Sequence, residues 1–274
     1  MFKRILVLAD NYQLTDFLLR YIPEVFPHSE YHILSVADLS FDFLSMTDYI
    51  KETLEESAIE AMLHCATVLE ESGITPKKTI LGGNFQAVVE KYVRENGIGL
   101  VATELYIDEE EKKSQFSHHI EGLFKSVPVP IFAMDRPVDL RKPRSLSILH
   151  TGTQHSDIAL RLGLRLAKFL EIPSTVMFCG GLQKKAMYPR IESAGQEVGV
   201  TMHIDTSEYD SVQDLVKMAG AHDLFVTSRG GRSWGDRVAM MFKRLPLSRM
   251  EIETIQYVPV PMLLVGETMG VSYG

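Results

Sequence analysis

Apolar runs of strand length alternate with longer amphipathic segments along the whole chain. Ile5–Ala9 and Tyr31–Val36 are two such runs. The segment 47–72 places its apolar residues three or four positions apart, which is typical of a helix that buries one face. Repeated alternation, β-α-β-α-β-α-β-α-β, predicts a parallel sheet with helices on both faces. The remaining strands of the first half are expected at 77–81, 98–103 and 127–134.

The second half repeats the order of the first. The phrase Val-Pro-Val-Pro begins the closing strand of the first half at Val127 and recurs at Val258. The opening strand and the strand before the closing one also have counterparts, at 145–150 and 223–227. Ser156 is expected to cap the long helix that follows the strand at 145–150. Three landmarks recur in the same order, which favours a duplicated domain.

Both closing strands stand behind two prolines, which cannot donate the backbone hydrogen bonds that a central strand needs. The prolines therefore belong at the start of a strand or at a sheet edge, and an edge invites pairing with an equivalent strand. We expect one domain at 1–137 and a second at 143–274, joined by a polar linker that contains prolines. We also expect the two domains to pair with each other through their Val-Pro-Val-Pro strands.

The composition excludes several classes of protein. The chain of 274 residues is 45% hydrophobic and 23% charged, which is usual for a globular protein. Its net charge of −8 argues against a nucleic-acid partner, because phosphate contacts need clustered Lys and Arg. No signal peptide and no apolar run of about 20 residues are present, so no membrane association is expected. Cys65 and Cys179 give no disulfide framework, and a cytoplasmic location is therefore predicted.

The duplicated pattern that closes on x-Pro-x-Pro-hydrophobic resembles the universal stress protein family in its tandem-domain form. The resemblance rests on the strand Ile5–Val7 running to Asp10, on the apolar fourth strands and on both Val-Pro-Val-Pro strands. It covers essentially the whole chain. It implies two five-stranded domains with an adenine nucleotide alpha hydrolase-like fold. Many members bind ATP through an acidic residue after strand one and a loop G-x2-G-x9-G-[ST] after strand four, and many dimerise through strand five. The resemblance therefore leaves two assemblies open, a compact tandem unit or a homodimer of that unit.

The first half departs from the ATP-binding pattern that the resemblance implies. Asp10 holds the acidic position, although a turn residue that faces solvent would fit there equally well. Val36 ends strand two. Thr103–Tyr106 replaces G-x2-G, and Ser117-His118 falls where G-[ST] is expected. Acidic residues at 108–111 would repel a triphosphate, so the first half is not expected to bind ATP in the family manner.

The second half lies closer to the pattern. Thr227–Gly230 keeps the second glycine, but the spacing to Ser248-Arg249 exceeds nine residues, and His150-Thr151 replaces the aspartate. Glycine allows close backbone approach, helix-start N–H groups favour anions, and nearby arginines add positive charge. A nucleotide or anion site with altered geometry is therefore expected in this half. The candidate binding residues of the chain are Asp10, Val36, Thr151, Thr227, Ser228, Gly230, Gly231, Arg232, Ser233, Ser248 and Arg249.

No catalytic or metal-binding signature accompanies these residues. The sequence holds no Ser-His-Asp, HExxH or Walker-type pattern, and adjacent histidines such as His118-His119 point in different directions on a helix. The leading hypothesis is a non-enzymatic, regulatory stress-response protein, with ATP, ADP or AMP as the candidate ligand and an unknown regulatory protein as a partner. Two alternatives stay open: an interaction module whose nucleotide sites have decayed, and an adenylate-processing enzyme of the same fold.

Overall fold

The protein divides into two compact units. Phe2–Arg141 forms the first unit, and the second begins at Lys142, so the division falls between the predicted domain limits 137 and 143. No helix among the described residues combines the length and the apolar character that a membrane crossing requires. The structure is a computed structural model that describes residues 1–9, 15–38, 48–105, 123–124, 126–134, 138–178, 184–207, 211–228 and 257–266.

The first unit is a parallel sheet with helical connections. Its strands pair in the order β3-β2-β1-β4-β5, and every pair is parallel. This confirms the predicted α/β class for the first half. The strands are β1 (Arg4–Ala9), β2 (Glu30–Asp38), β3 (Lys77–Gly83), β4 (Leu100–Glu104) and β5 (Ile131–Met134), and the helices are α1 (Thr15–Val25), α2 (Asp48–Glu71) and α3 (Phe85–Glu95).

The second unit repeats this arrangement. Its strands pair in the order β10-β9-β6-β7-β8, again all parallel. The final helix predicted around 248–256 lies outside the described residues. The strands are β6 (Leu146–His150), β7 (Ser174–Phe178), β8 (His203–Ile204), β9 (Leu224–Ser228) and β10 (Met262–Val265), and the helices are α4 (Gln154–Leu170), α5 (Lys184–Val198) and α6 (Val212–Ala219).

The central strands form the core of each unit because both faces of each sheet are covered. All residues of β4, β6 and β9 are buried, as are all residues of β1 except Arg4. In the first unit, Phe132 of β5 packs against Tyr21 and Phe26, with ring centroids 6.2 and 6.0 Å away. Continuous apolar strands of this kind are typical of parallel sheets.

The prolines of the closing strands contribute their carbonyl groups to the sheets. The N–H of Val101 in β4 donates to the carbonyl oxygen of Pro130 at 3.1 Å, and the N–H of Phe225 in β9 donates to that of Pro261 at 3.0 Å. Ile131 and Met262 then begin the strands, so the prolines precede the strands, in agreement with the first of the two predicted placements, and the strand predicted at 127–134 is shorter than expected. The pairing of the two closing strands with each other stays a prediction.

Candidate functional site

The two central strands of each unit separate at their carboxyl ends. The pairing of β1 with β4 runs from Ile5 opposite Leu100 to Val7 opposite Ala102, although both strands extend two residues further. We call the resulting gap, with Ala9 and Glu104 on its two sides, the β1–β4 crevice. Open parallel sheets bind ligands at this point, where the chain leaves neighbouring strands in opposite directions.

The second unit has the equivalent gap. The pairing of β6 with β9 ends at Ile148 opposite Val226, and the strands continue to His150 and Ser228. We call this gap, with His150 and Ser228 on its two sides, the β6–β9 crevice. The two crevices occupy the same place in the two sheet orders, so their residues can be compared position by position.

Ser228 brings a buried hydroxyl group to the β6–β9 crevice. Ile148 and Val226 lie against α4, where a side chain added at Gly163 would come within 2.9 Å of Ile148 and 3.4 Å of Val226. Alternate residues of a strand share a face, so His150 and Ser228 also point to the α4 side. Ser228 is fully buried, and its Oγ has no hydrogen-bond partner among the described residues. A buried polar atom without a partner destabilises a protein, which makes this hydroxyl a candidate ligand contact.

His150 is held in one tautomer. Its Nδ1 accepts a hydrogen bond from the N–H of Gly152 at 3.2 Å, so Nε2 carries the proton and donates to Oδ1 of Asp157 at 3.1 Å. Burial holds the pKa of His150 below its usual 6.5, although Asp157 opposes this shift. The other carboxylate oxygen of Asp157 accepts a hydrogen bond from Arg190 of α5. The buried imidazole is therefore neutral at neutral pH, and a neighbouring ion pair anchors it.

The loop from β6 to α4 is three residues long and tightly built. Thr153 caps α4, because its Oγ1 accepts from the N–H of Ser156 while the Oγ of Ser156 accepts from the N–H of Thr153. The prediction of Ser156 as the cap was wrong, since Ser156 supplies the reciprocal bond of a capping box. Gly152 has φ +79°, a conformation that favours glycine. The hydroxyl oxygens of Thr151 and Thr153 lie 3.2 Å apart.

The β1–β4 crevice has the same backbone arrangement but a different side chain. Thr103 Oγ1 donates to the carbonyl oxygen of Glu104 at 3.4 Å, just as Thr227 Oγ1 donates to that of Ser228 at 3.5 Å. Glu104 lies opposite Met134 on β5, and Ser228 lies opposite Val265 on β10. A buried carboxyl group therefore replaces the hydroxyl of the second unit. An ionised carboxylate at this position would repel an anionic ligand.

The structure brings together only some of the predicted binding residues. Thr151, Thr227 and Ser228 lie at the β6–β9 crevice, whereas Val36 is half-buried near the carboxyl end of β2 in the other unit. Sequence reasoning missed Asp157 and Arg190, which hold His150. Asp157 follows His150 by seven residues and lies in the first turn of α4, which gave a signal, but nothing local indicated Arg190. The other predicted residues, which lie outside the described part of the chain, are Asp10, Gly230, Gly231, Arg232, Ser233, Ser248 and Arg249.

The hydrogen bonds of His150 prevent its ring from acting as a general base toward Ser228. Both ring nitrogens of His150 are engaged, by Gly152 and Asp157, so the ring offers no lone pair that could activate Ser228 as a nucleophile. Within the described ranges, no group of three or more His, Cys, Asp or Glu side chains is placed to hold a metal ion. Ser228 supplies a hydroxyl donor on the same side of the sheet as α4, whose N-terminus suits an anionic group.

No protein-family model matches the sequence, and no curated protein matches it either. Solved structures do match the fold. A universal stress protein from Archaeoglobus fulgidus DSM 4304 gives a TM-score of 0.77 at 17% identity, over 97% of this chain and 98% of that one. A protein of unknown function from Pseudomonas aeruginosa PAO1 gives a TM-score of 0.64 at 15% identity, over 97% of this chain and 93% of that one. The chain therefore has the universal stress protein fold over essentially its whole length, as the resemblance predicted.

Proposed function

We propose that this chain, which has the universal stress protein fold, is a non-enzymatic regulatory protein of the stress response. Its ligand would be an adenine nucleotide or another anion, bound in the β6–β9 crevice. The observation that carries the proposal is the fully buried Ser228 hydroxyl, which has no partner among the described residues and stands at the carboxyl end of a central strand. A ligand atom that accepts a hydrogen bond from this hydroxyl would offset the energetic cost of burying it.

Three features of the second unit support an anionic ligand. The helix α4 is 17 residues long and begins next to the crevice, so its N-terminus contributes N–H groups and partial positive charge. Arg190 offsets the negative charge that Asp157 places in the first turn of that helix. Thr151 and Thr153 bring further hydroxyl groups to the same loop. We propose that Arg232 and the glycines at 230 and 231, which follow β9 in sequence, complete the phosphate contacts.

The first unit would not take part in this binding. Glu104 occupies the position of Ser228 and is 8% exposed, so an anion in the β1–β4 crevice would meet a buried carboxyl group. We propose that the first unit serves the regulatory role through contacts with another protein or with a second copy of the chain. One nucleotide per chain, rather than two, is the stoichiometry that follows.

The direct test begins with the protein as purified. We would denature it, filter it, and identify any released small molecule by chromatography and mass spectrometry, then titrate ATP, ADP and AMP by calorimetry. One bound nucleotide per chain is expected. An empty protein that also shows no thermal shift at millimolar nucleotide would overturn the proposal and favour an interaction module. Sustained release of ADP or AMP from ATP would instead favour the adenylate-processing enzyme.

A pair of serine variants tests the position of the ligand. Ser228→Ala removes one hydrogen bond and is expected to weaken nucleotide binding by roughly two- to twelvefold, the range for a net 0.5–1.5 kcal/mol. Ser174→Ala is the matched control, because Ser174 is also buried with an Oγ that lacks a partner in the described part of the chain, but it starts β7 at the opposite end of the sheet. Equal losses in both variants would contradict the assignment of the crevice.

A further inference from the structure

His150 stands where β6, the loop Thr151–Thr153 and α4 meet. Its two ring nitrogens connect to different partners, since Nδ1 accepts from the backbone of Gly152 and Nε2 donates to Asp157 on α4. We propose that His150 is a proton-operated switch: protonation turns the Gly152 N–H away from the ring and changes the shape of the loop beside the β6–β9 crevice. The consequence for ligand affinity rests on the proposed function, whereas the change in the loop does not.

The switch follows from a conflict between donors. In the neutral ring, the lone pair of Nδ1 receives the Gly152 N–H at 3.2 Å. An imidazolium ring carries N–H groups on both nitrogens, so the Gly152 N–H and the new Nδ1–H would point at each other. The bond from Nε2 to Asp157 gains a charge on protonation and becomes stronger. The ring therefore stays on Asp157, and the contact with Gly152 is the one that breaks.

The loop has little freedom to absorb this change locally. Gly152 has φ +79°, and a side chain added there would come within 3.2 Å of the Met187 sulfur on α5. Thr153, the next residue, caps α4 through its reciprocal bonds with Ser156. Thr151 Oγ1 lies 3.2 Å from Thr153 Oγ1. Rotation of the Gly152 amide must therefore displace Thr151, Thr153 or both, and these two residues stand at the start of the helix that faces the crevice.

The surroundings of His150 set the pH at which the switch operates. Among the described residues, the charged groups that face it are Asp157 from α4 and Arg190 from α5. A neutral group faces it from the sheet, the Phe178 ring of β7, whose centroid is 6.1 Å away. Burial lowers the pKa of His150, Asp157 raises it, and Arg190 lowers it. Protonation is therefore expected in mildly acidic solution, below the usual 6.5 of histidine.

Nuclear magnetic resonance of the full chain without ligand tests the switch directly. With histidine and glycine labelled with ¹⁵N, the His150 ring and the Gly152 amide would be followed as the pH falls from about 8 to about 5, the range in which histidine titrates. We expect unprotonated Nδ1 at high pH, and a Gly152 amide signal that moves with the same midpoint as the ring. A constant Gly152 signal during His150 titration, or a ring with its proton on Nδ1 at high pH, would overturn the proposal.

Variants with opposite expected effects keep the test decisive. Asp157→Asn removes the charge that favours the protonated ring and should move the Gly152 midpoint to lower pH. Arg190→Gln removes the charge that opposes protonation and should move the midpoint to higher pH. His203→Asn, at an exposed position on β8, should leave the midpoint unchanged. Shifts in the same direction for Asp157→Asn and Arg190→Gln would rule out His150 as the group that controls the loop.

The effect on ligand binding is measured separately. His150→Asn places an amide oxygen near the position of Nδ1, so it can still accept from Gly152 but cannot titrate. With ATP as the probe, the ratio of dissociation constants at about pH 5.5 and 7.5 should differ from that of His150→Asn, which corrects for protonation of ATP itself. Equal ratios would overturn the coupling to the ligand. A chain that binds no ATP at any pH would overturn the proposed function, while the result for the loop would still decide the switch.

Discussion

The β1–β4 and β6–β9 crevices share a backbone and differ in chemistry. In both, a threonine hydroxyl donates to the carbonyl oxygen of the next residue, and that next residue ends a fully buried strand. The first crevice then presents Glu104, and the second presents Ser228. Two copies of one fold can therefore offer a carboxyl group and a hydroxyl group at the same point. The comparison shows that the fold alone does not decide which ligand, if any, a unit accepts.

The residues that end the opening strands, on the other side of each crevice, differ as well. Ala9 ends β1, whereas His150 ends β6 and is tied to Asp157 and Gly152. An alanine at this position makes no hydrogen bond through its side chain and cannot titrate. The second unit therefore has an ionisable group beside its crevice that the first unit lacks at the equivalent position. The difference between the units lies on both sides of the gap.

The largest expected effect on nucleotide binding comes from placing the carboxyl group of the first crevice in the second crevice. Ser228→Glu would give the second unit the residue of the first, and we expect nucleotide binding to weaken by at least about 100-fold, equivalent to about 2.7 kcal/mol. The reason is that a buried charge would stand where the anion binds. The measurement is calorimetric titration, with Glu104→Gln as the control that should leave binding unchanged. Retained affinity in Ser228→Glu would mean that the two crevices do not differ in the way proposed.

A smaller effect concerns the loop that borders the second crevice. Gly152→Ala should lower the free energy of unfolding by roughly 1–2 kcal/mol, because alanine disfavours a φ of +79°. Gly73→Ala in the first unit is the matched control, since Gly73 has φ +76° but nothing lies within 4 Å of an added side chain. Gly152→Ala should cost more than Gly73→Ala, because its new methyl group meets Met187 at 3.2 Å. Urea denaturation of both variants measures the difference.

If both glycine variants lose the same stability, the loop of the second unit tolerates the methyl group and is not as tightly held as its contacts indicate. If neither variant loses stability, both positive φ angles are relaxed in solution. Either result would weaken the comparison, because the rigidity of the loop is what transmits a change at His150 to the crevice.

The smallest expected effect is a dependence of stability on mild acid. Burial lowers the pKa of His32 in the first unit and of His150 and His222 in the second, all from 6.5. As the pH falls, these histidines are therefore protonated at a higher pH in the unfolded chain than in the folded chain. The free energy of unfolding should be highest above about pH 6.5 and should fall as the pH drops from there through the lowered values in the folded state. Denaturation at several pH values measures this slope.

Histidine variants show how much each unit contributes to this pH dependence of the free energy of unfolding. His150→Asn should reduce the pH dependence of unfolding, because Asn cannot titrate, even if its stability at neutral pH is lower. In the first unit, His32 lies near the opposite end of the sheet, where its ring bonds Tyr92 and Glu30 at 3.0 and 3.1 Å. His32→Asn should also reduce the slope but should leave the Gly152 signal unaffected. An unchanged slope in both variants would place the acid sensitivity elsewhere in the chain.

The sequence supported a detailed prediction of the fold because its signals are local. Continuous apolar runs identified the buried strands, and the Val-Pro-Val-Pro phrases located the starts of Ile131–Met134 and Met262–Val265. The limits of β8 are harder to predict from the sequence, since only His203 and Ile204 pair with β7. The residue that caps α4 could be identified only from the structure, because Thr153 and Ser156 are both good N-cap candidates by residue type.

The site was predicted less completely because its contacts are distant in sequence. Thr227 and Ser228 could be found by their place at the carboxyl end of a fourth strand. By contrast, the ion pair between Asp157 and Arg190 joins two different helices, and no spacing rule specifies such a contact. The importance of Ser228 as a buried hydroxyl depends on its neighbours rather than on its own identity. Local patterns therefore located the crevice, and the structure supplied its chemistry.

The carbonyl groups of Pro130 and Pro261 have a consequence for the accuracy of folding. A slip of one residue in either closing strand would turn every side chain to the opposite face of the sheet. A slip of two residues in one direction would bring a proline to a position where the ladder needs an N–H donor. The closing strand of each unit therefore disfavours a slip of one residue through its side chains, and a slip of two residues in that direction through its backbone hydrogen bonds.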